Sequence, residues 1–208
     1  MIGVVREGGL LVLTLQRPEK ANALSRAMLV DLLAALDDPP QVLILTGEAR
    51  VFSAGADLDE AKAGLATDPI WDVLSNRIVS LPGLTIAALN GTLAGGAMGM
   101  TLACDLRLGV PGATFFYPVM RLGYLPQPAD PARLVALIGP ARAKMILMAG
   151  AKIAAEEALA WGLIDRIVAP ADLLPTARAL AADVLAAIPG HAAAIKRLMA
   201  QAEFARIP

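Results

Sequence analysis

Two glycine-bearing segments carry residue types and spacings that could do chemistry. The first is Phe52-Ser53-Ala54-Gly55-Ala56-Asp57-Leu58; the second is Asn90-Gly91-Thr92-Leu93-Ala94-Gly95-Gly96-Ala97-Met98-Gly99. Each follows a strand-like apolar run and puts small residues where a helix should begin. Small residues let a ligand approach the backbone closely, and helix N-termini carry N–H groups without internal partners. Two such ends aimed at one oxygen form an oxyanion hole, often the largest electrostatic contribution in acyl chemistry. The pair therefore points to an acyl thioester as the ligand.

The elements that must position these turns follow from the apolar pattern. Leu10 to Leu15, Val42 to Leu45 and Thr85 to Leu89 are short apolar runs, expected as buried strands; Leu106 to Val110 and Thr114 to Phe116 read as two more. Ser25 can cap a helix carrying Met28, Leu29, Leu32, Leu33 and Leu36, which Asp37-Asp38-Pro39-Pro40 stops. Asp57 to Gly64 is expected as a short helix or loop. Ile70 to Leu81 and Gly96 to Ala103 are expected as helices. From Pro140 the texture becomes Ala-rich, with helices over Ala141 to Met148, Ala155 to Trp161, Leu173 to Ala187 and His191 to Ala205. Alternating strands and helices indicate an α/β class, with residues 140–208 as a helical appendage to a core of residues 1–139.

Bulk composition narrows the partners. The 208 residues are 57% hydrophobic and only 4% aromatic, so the core must be built from aliphatic side chains. A net charge of −1 offers no basic field for nucleic acid or an anionic membrane. One cysteine, Cys104, and one histidine, His191, exclude an internal disulfide and argue against a Cys/His zinc site or any other metal. No signal peptide is read at the start, and a reducing cytoplasm is the expected location. Leu84 to Cys104 has no charge and has glycines at membrane-helix spacing, yet Asn90 and several threonines interrupt it; a strand, a turn and a buried helix explain it better than a membrane span. The glycine cluster also raises a dinucleotide site, but its spacing differs and no acidic residue is well placed after a following strand.

At these residues the chain resembles the crotonase family, the enoyl-CoA hydratase/isomerase superfamily, from about Val4 to about Leu198. Arg17-Pro18-Glu19-Lys20-Ala21-Asn22-Ala23-Leu24 is similar to its early coenzyme A segment. Phe52 to Leu58 resembles its first oxyanion motif. Asn90-Gly91 through Gly96, then Ala103-Cys104-Asp105, resembles the second. Ala155-Glu156-Glu157-Ala158 with Trp161-Gly162-Leu163-Ile164-Asp165 is like its late segment. The resemblance implies a crotonase-like spiral of ββα units, C-terminal helices that pack subunits into trimers or hexamers, and an acyl-CoA ligand with no permanently bound cofactor. It implies that the thioester oxygen is held by the backbone N–H groups of Ala56 and Gly96. It also implies that Lys20, Ala21, Ala54, Ala56, Asp57, Leu58 and Gly96 contact coenzyme A.

The departures from the family pattern matter as much. The resemblance places the two hydratase glutamates at Gly99 and Val119, neither of which can move a proton. Positions that carry a carboxylate in some isomerases hold Arg121 and Gln127 here. General acid–base catalysis contributes ~10²–10⁴-fold, so standard hydration is disfavoured; isomerase, decarboxylase or thioesterase chemistry stays open, as does a non-catalytic acyl-CoA-binding or assembly subunit. The chain is short for the family, and its end lacks the final helix whose basic residue reaches a neighbour's coenzyme A; Lys196 and Arg197 stand in only partly.

Among remaining side chains, Asp130 is the carboxylate nearest the expected acyl end: a candidate general base, or a cap for a helix starting near Pro131. Tyr117 is the candidate acid or orienting group, and Tyr124 a weaker one. Asp57 is expected to cap the helix it starts, and Asp105 to be a structural acceptor. Cys104 reads as a small hydrophobe and His191 as decoration of the last helix. Met98, Met100 and Met120 line an acyl pocket or fill the core.

Overall fold

A computed structural model describes residues 1–204, and side chains through residue 201. The first strands, β1 (Ile2–Glu7) and β2 (Leu10–Leu15), form an antiparallel hairpin over Gly8-Gly9, with Gly8 at φ +61 supplying the left-handed turn. α1 (Arg26–Ala35) starts where the Ser25 hydroxyl oxygen accepts the Met28 N–H at 3.2 Å.

Three ββα units then follow. The first is β3 (Val42–Gly47), β4 (Val51–Ser53) and α2 (Leu58–Lys62), extended by α3 (Ile70–Val79). The second is β5 (Leu84–Leu89), β6 (Thr92–Ala94) and α4 (Ala97–Leu102). The third is β7 (Leu106–Gly109), β8 (Thr114–Phe116) and the short α5 (Val119–Leu122), leading to α6 (Asp130–Leu147). The remaining strands and α-helices among the described residues are β9 (Ile153–Ala154), α7 (Ala155–Trp161), β10 (Arg166–Ile167), α8 (Leu173–Ala186) and α9 (His191–Phe204).

Each unit gives its first strand to one sheet and its second to another. The larger sheet runs β1-β2-β3-β5-β7-β10, and the smaller runs β4-β6-β8-β9. Between successive units all strand pairings are parallel, with Val42 beside Leu84, Ile86 beside Leu106, and Leu93 beside Phe115. This is the expected α/β spiral. β2 and β3 are buried almost throughout because both faces are covered, which is why they read as continuous apolar runs. Each fully buried Leu or Ile, such as Leu11, Leu43 and Ile44, contributes about 1.5–3 kcal/mol.

Several expectations are corrected. Residues 140–208 are not purely helical: β9 pairs with β8 and β10 with β7, so the chain beyond residue 139 completes both sheets. α8 buries Ala177 and Ala181 beside β3 and β5. The 139/140 boundary falls inside α6, at a kink where Gly139 takes φ +78 and Pro140 follows. α6 begins at Asp130, beside the helix start expected near Pro131, and continues through the kink into the helix expected from Ala141. β4 and β6 are three-residue strands that periodicity does not resolve. Leu84 to Cys104 divides into β5, β6 and α4, and no helix among the described residues is long and apolar enough to cross a membrane. The predicted end of the last helix at Ala205 lies outside the described residues.

Candidate active site

The spiral aligns equivalent points of its three units. The chain leaves β4, β6 and β8 side by side, so Ala54 and Ala56, Gly95 and Gly96, and Tyr117–Val119 line one cleft of about 220 Å³. The lining joins the two glycine-bearing turns to a third segment.

The first turn is fixed by the Arg17–Leu24 segment. Ala54 N–H donates to Ala21 O at 2.9 Å, and the Ser53 hydroxyl to Asn22 O at 2.8 Å. Leu24 N–H donates to Gly55 O at 2.7 Å, and Asp57 N–H to Leu24 O at 2.9 Å. These two bonds make a parallel bridge between Leu24 and Ala56. In such a bridge the central residue's own N–H points away from its partner strand; the Ala56 N–H donates to no group among the described residues. The buried Asn22, at φ +52, ties the segment down through Nδ2 bonds to Glu48 O (2.9 Å) and Val51 O (2.7 Å).

The second turn meets the first at van der Waals distance. Gly55 (φ +94) and Gly95 (φ +58) are both left-handed. A Cβ on Gly55 would lie 3.0 Å from Ala94 O and 3.3 Å from Gly95 Cα. Gly95 N–H donates to Phe116 O at 3.1 Å, whereas the Gly96 N–H has no acceptor among the described residues. Gly96 is the N-cap of α4, so this N–H lies at the start of a buried helix. Trp71 backs it: a Cβ on Gly96 would touch three ring atoms at 3.4 Å, and the indole N–H donates to Leu65 O at 2.7 Å.

The structure sorts the other sequence candidates. Ala54, Ala56, Leu58, Gly96 and Tyr117 line the cleft; Lys20, exposed, and Ala21, half-buried, do not, but sit on the segment bonded to its first turn. Asp57 caps α2, accepting from Asp59 N–H (3.1 Å) and Glu60 N–H (3.3 Å), and meets Arg17 Nη1 at 2.9 Å. Those backbone bonds, with Arg17, hold its carboxyl below the usual range. Asp130 is fully buried and stands behind Tyr117 rather than in the cleft lining. The Tyr117 hydroxyl donates to Asp130 Oδ2 at 3.1 Å and accepts from the Gln127 N–H at 3.3 Å. Asp130 does not cap α6, whose N-cap is Ala129 with no side-chain bond; that expectation is corrected because the carboxylate turns inward to Tyr117. Burial pushes the Asp130 carboxyl up to about 6, and pushes the Tyr117 phenol well above its ordinary value.

Met98 and Met100 are core residues and Met120 is exposed; none lines the cleft, because the first two turn inward from α4. Asp105 accepts from Thr85 N–H and Oγ1 and meets Lys196 Nζ at 2.6 Å, so Lys196 anchors α9 to the sheet. His191 opens α9 and is exposed. Burial pushes the Cys104 thiol up to about 12, which leaves it inert.

Gln127, at a position the family resemblance marks, lines the cleft; so do Trp71, Lys62, Leu122 and Leu125, which the sequence does not mark. Trp71 shares its helix face with Leu74 and Ile78, so periodicity marks it only as core. Leu58, Leu122 and Leu125 are 73%, 52% and 84% exposed at the cleft, an apolar mouth that single positions do not reveal.

Comparison with known proteins bears on the family and the fold. The family model "Enoyl-CoA hydratase/isomerase" matches residues 5–207. The chain is 37% identical over 205 residues to a carnitinyl-CoA dehydratase of Salmonella arizonae, covering 94% of this chain and 78% of that one. Among solved structures it is similar to an enoyl-CoA hydratase from Bacillus anthracis, with TM-score 0.87, 30% identity, and 96% and 82% of the two chains covered. It is likewise similar to an enoyl-CoA hydratase subunit I from Geobacillus kaustophilus, with TM-score 0.86, 33% identity, and 97% and 81% covered.

Proposed function

The chain belongs to the enoyl-CoA hydratase/isomerase family, and from that premise we propose that it binds an acyl-CoA and stabilises the thioester enolate or oxyanion between the N–H groups of Ala56 and Gly96. The observation that carries this reading is that both nitrogens lie on touching turns at one cleft and neither has an acceptor among the described residues. Both residues are half-buried on the cleft wall, so these two N–H groups are open to the cleft and available to a ligand oxygen. Two donors at about 2.7–3.1 Å from such an oxygen supply several kcal/mol.

The Arg17–Leu24 segment, with Lys20 and Ala21, lies where the coenzyme A portion would run, and the mainly apolar cleft takes the acyl end. Tyr117 is the cleft group best placed to handle a proton, since its hydroxyl is already fixed by two hydrogen bonds. Gly99 and Val119 bear no ionisable group, so isomerisation, decarboxylation or thioester cleavage fits the site better than standard hydration. The same two residues favour a second reading, a non-catalytic acyl-CoA-binding subunit. Assembly as a homotrimer or hexamer, and a cytoplasmic location, accompany the first reading. Titration calorimetry with butyryl-CoA, free coenzyme A and NAD tests it. Butyryl-CoA should bind and NAD should not; preference for NAD would overturn the reading, and binding with no turnover of any thioester would select the second.

A further inference from the structure

We propose that Asp130 is the terminal proton acceptor of this cleft, reached through the Tyr117 hydroxyl, and that residue 99 is glycine because this carboxylate occupies the space beside it. The proposal rests on the thioester reading above. Its geometry is independent of the two amides.

Asp130 sits in the first turn of α6 with no exposed surface. Its Oδ2 accepts the Tyr117 hydroxyl at 3.1 Å, and its Oδ1 has no hydrogen-bond partner among the described residues. Arg133 Nη1 is 3.9 Å from Oδ1, an ion pair that favours the ionised carboxylate but is too long for a hydrogen bond; Nη1 makes none among the described residues, while Arg133 Nη2 donates to Asn76 Oδ1 at 2.7 Å. From α3, Asp72 adds a like charge that disfavours ionisation of Asp130. From α4, Gly99 contributes only backbone: a Cβ there would lie 2.8 Å from Asp130 Oδ1, closer than real Cβ atoms approach. A buried carboxylate with one oxygen unsatisfied costs stability, and a purely structural aspartate would be expected to fill that valence. The arrangement instead suits a group that must exist with and without its proton.

Tyr117 links this carboxylate to the cleft. In the step we infer, the Tyr117 oxygen takes the proton from the thioester α-carbon while its own O–H proton passes to Asp130 Oδ2. The α C–H bond breaks, and its electron pair becomes the enolate held by Ala56 and Gly96. A phenolic O–H is lost and re-formed, a carboxyl O–H is made, and one negative charge moves from Asp130 to the enolate oxygen. Tyr117 is the catalytic residue in this step and Asp130 acts through it. Because the acceptor must be ionised at the start, the step accelerates as pH rises through about 6 and then levels off.

The test is exchange of the α-protons of butyryl-CoA in D2O, followed by mass spectrometry over pH 4.5–8.5 and set beside calorimetric binding of the same thioester. Wild type should bind and exchange with the rising, levelling profile. Asp130→Asn keeps the side-chain volume and the Tyr117 bond; it should bind equally well, exchange at least about a hundredfold more slowly and lose the profile. Tyr117→Phe should behave alike, and the double variant should be no slower than the slower single, as for groups acting as a unit. Exchange by Asp130→Asn at the wild-type rate, multiplying single effects, or wild-type binding without any exchange would each overturn the relay while leaving the thioester reading standing. Failure of wild type to bind any acyl-CoA would instead overturn that underlying reading.

Discussion

Arg17 Nη1 lies 2.9 Å from Asp57 Oδ2 and 3.2 Å from Ala23 O, clamping the segment before α1 to the turn that presents the Ala56 N–H. The same carboxylate caps α2, so one side chain sets both the entry and the exit of that turn. Its pKa is depressed, so its contribution is present above the unfolded carboxylate value of 3.8 and is lost as pH falls below that value. Arg17→Ala should weaken butyryl-CoA binding about fivefold, the scale of one ion pair. Asp57→Ala should do at least as much, and the double variant should be less than additive. Calorimetry of the three variants checks this.

Gly55 answers for the contact between the two turns. At φ +94, with Ala94 O 3.0 Å from the Cβ it lacks, an alanine there suffers backbone strain and pushes the second turn away. Gly55→Ala should lose about 1–3 kcal/mol of stability in denaturant titration and lose thioester binding with it. Gly8→Ala, also at positive φ but with open space around its Cβ, should lose stability without losing binding.

How far the sequence discloses this site depends on the range of the interactions involved. Local chemistry is readable: Ser25 as a cap, Asp57 as a cap, and the strands from Leu10, Val42 and Thr85. The two turns are readable because glycine at a strand–helix junction has a physical reason. β4 and β6 are not, since three residues carry no period and their stability comes from neighbouring strands. The inward turn of Asp130 is equally hidden. Pro131 beside it announces a helix start, but only the packing of α4 against α6 shows that Gly99 makes room for the carboxylate.

Asp130 also makes a stability prediction with a definite sign. Its folded pKa is raised to about 6 from 3.8, first by burial, so between those values the folded state holds a proton that the unfolded state has released. The stability this group contributes therefore declines as pH rises across that window. Asp130→Asn removes the penalty. It should equal wild type near pH 4 and exceed it above pH 6, by roughly 2–3 kcal/mol at most, in urea titrations at several pH values. A gain in stability with a loss of α-proton exchange is the trade expected of a working residue.

The paired N–H groups of Ala56 and Gly96 are tested most directly by isotope-edited infrared spectroscopy of bound butyryl-CoA carrying a ¹³C thioester carbonyl. Two donors on one oxygen should move the carbonyl stretch well below its frequency in water. Gly96 has φ −58, so Gly96→Pro can remove one N–H without changing that angle; it should abolish much of the shift and weaken binding. A bound carbonyl that absorbs where the free thioester does, or a shift that survives Gly96→Pro intact, would contradict the account.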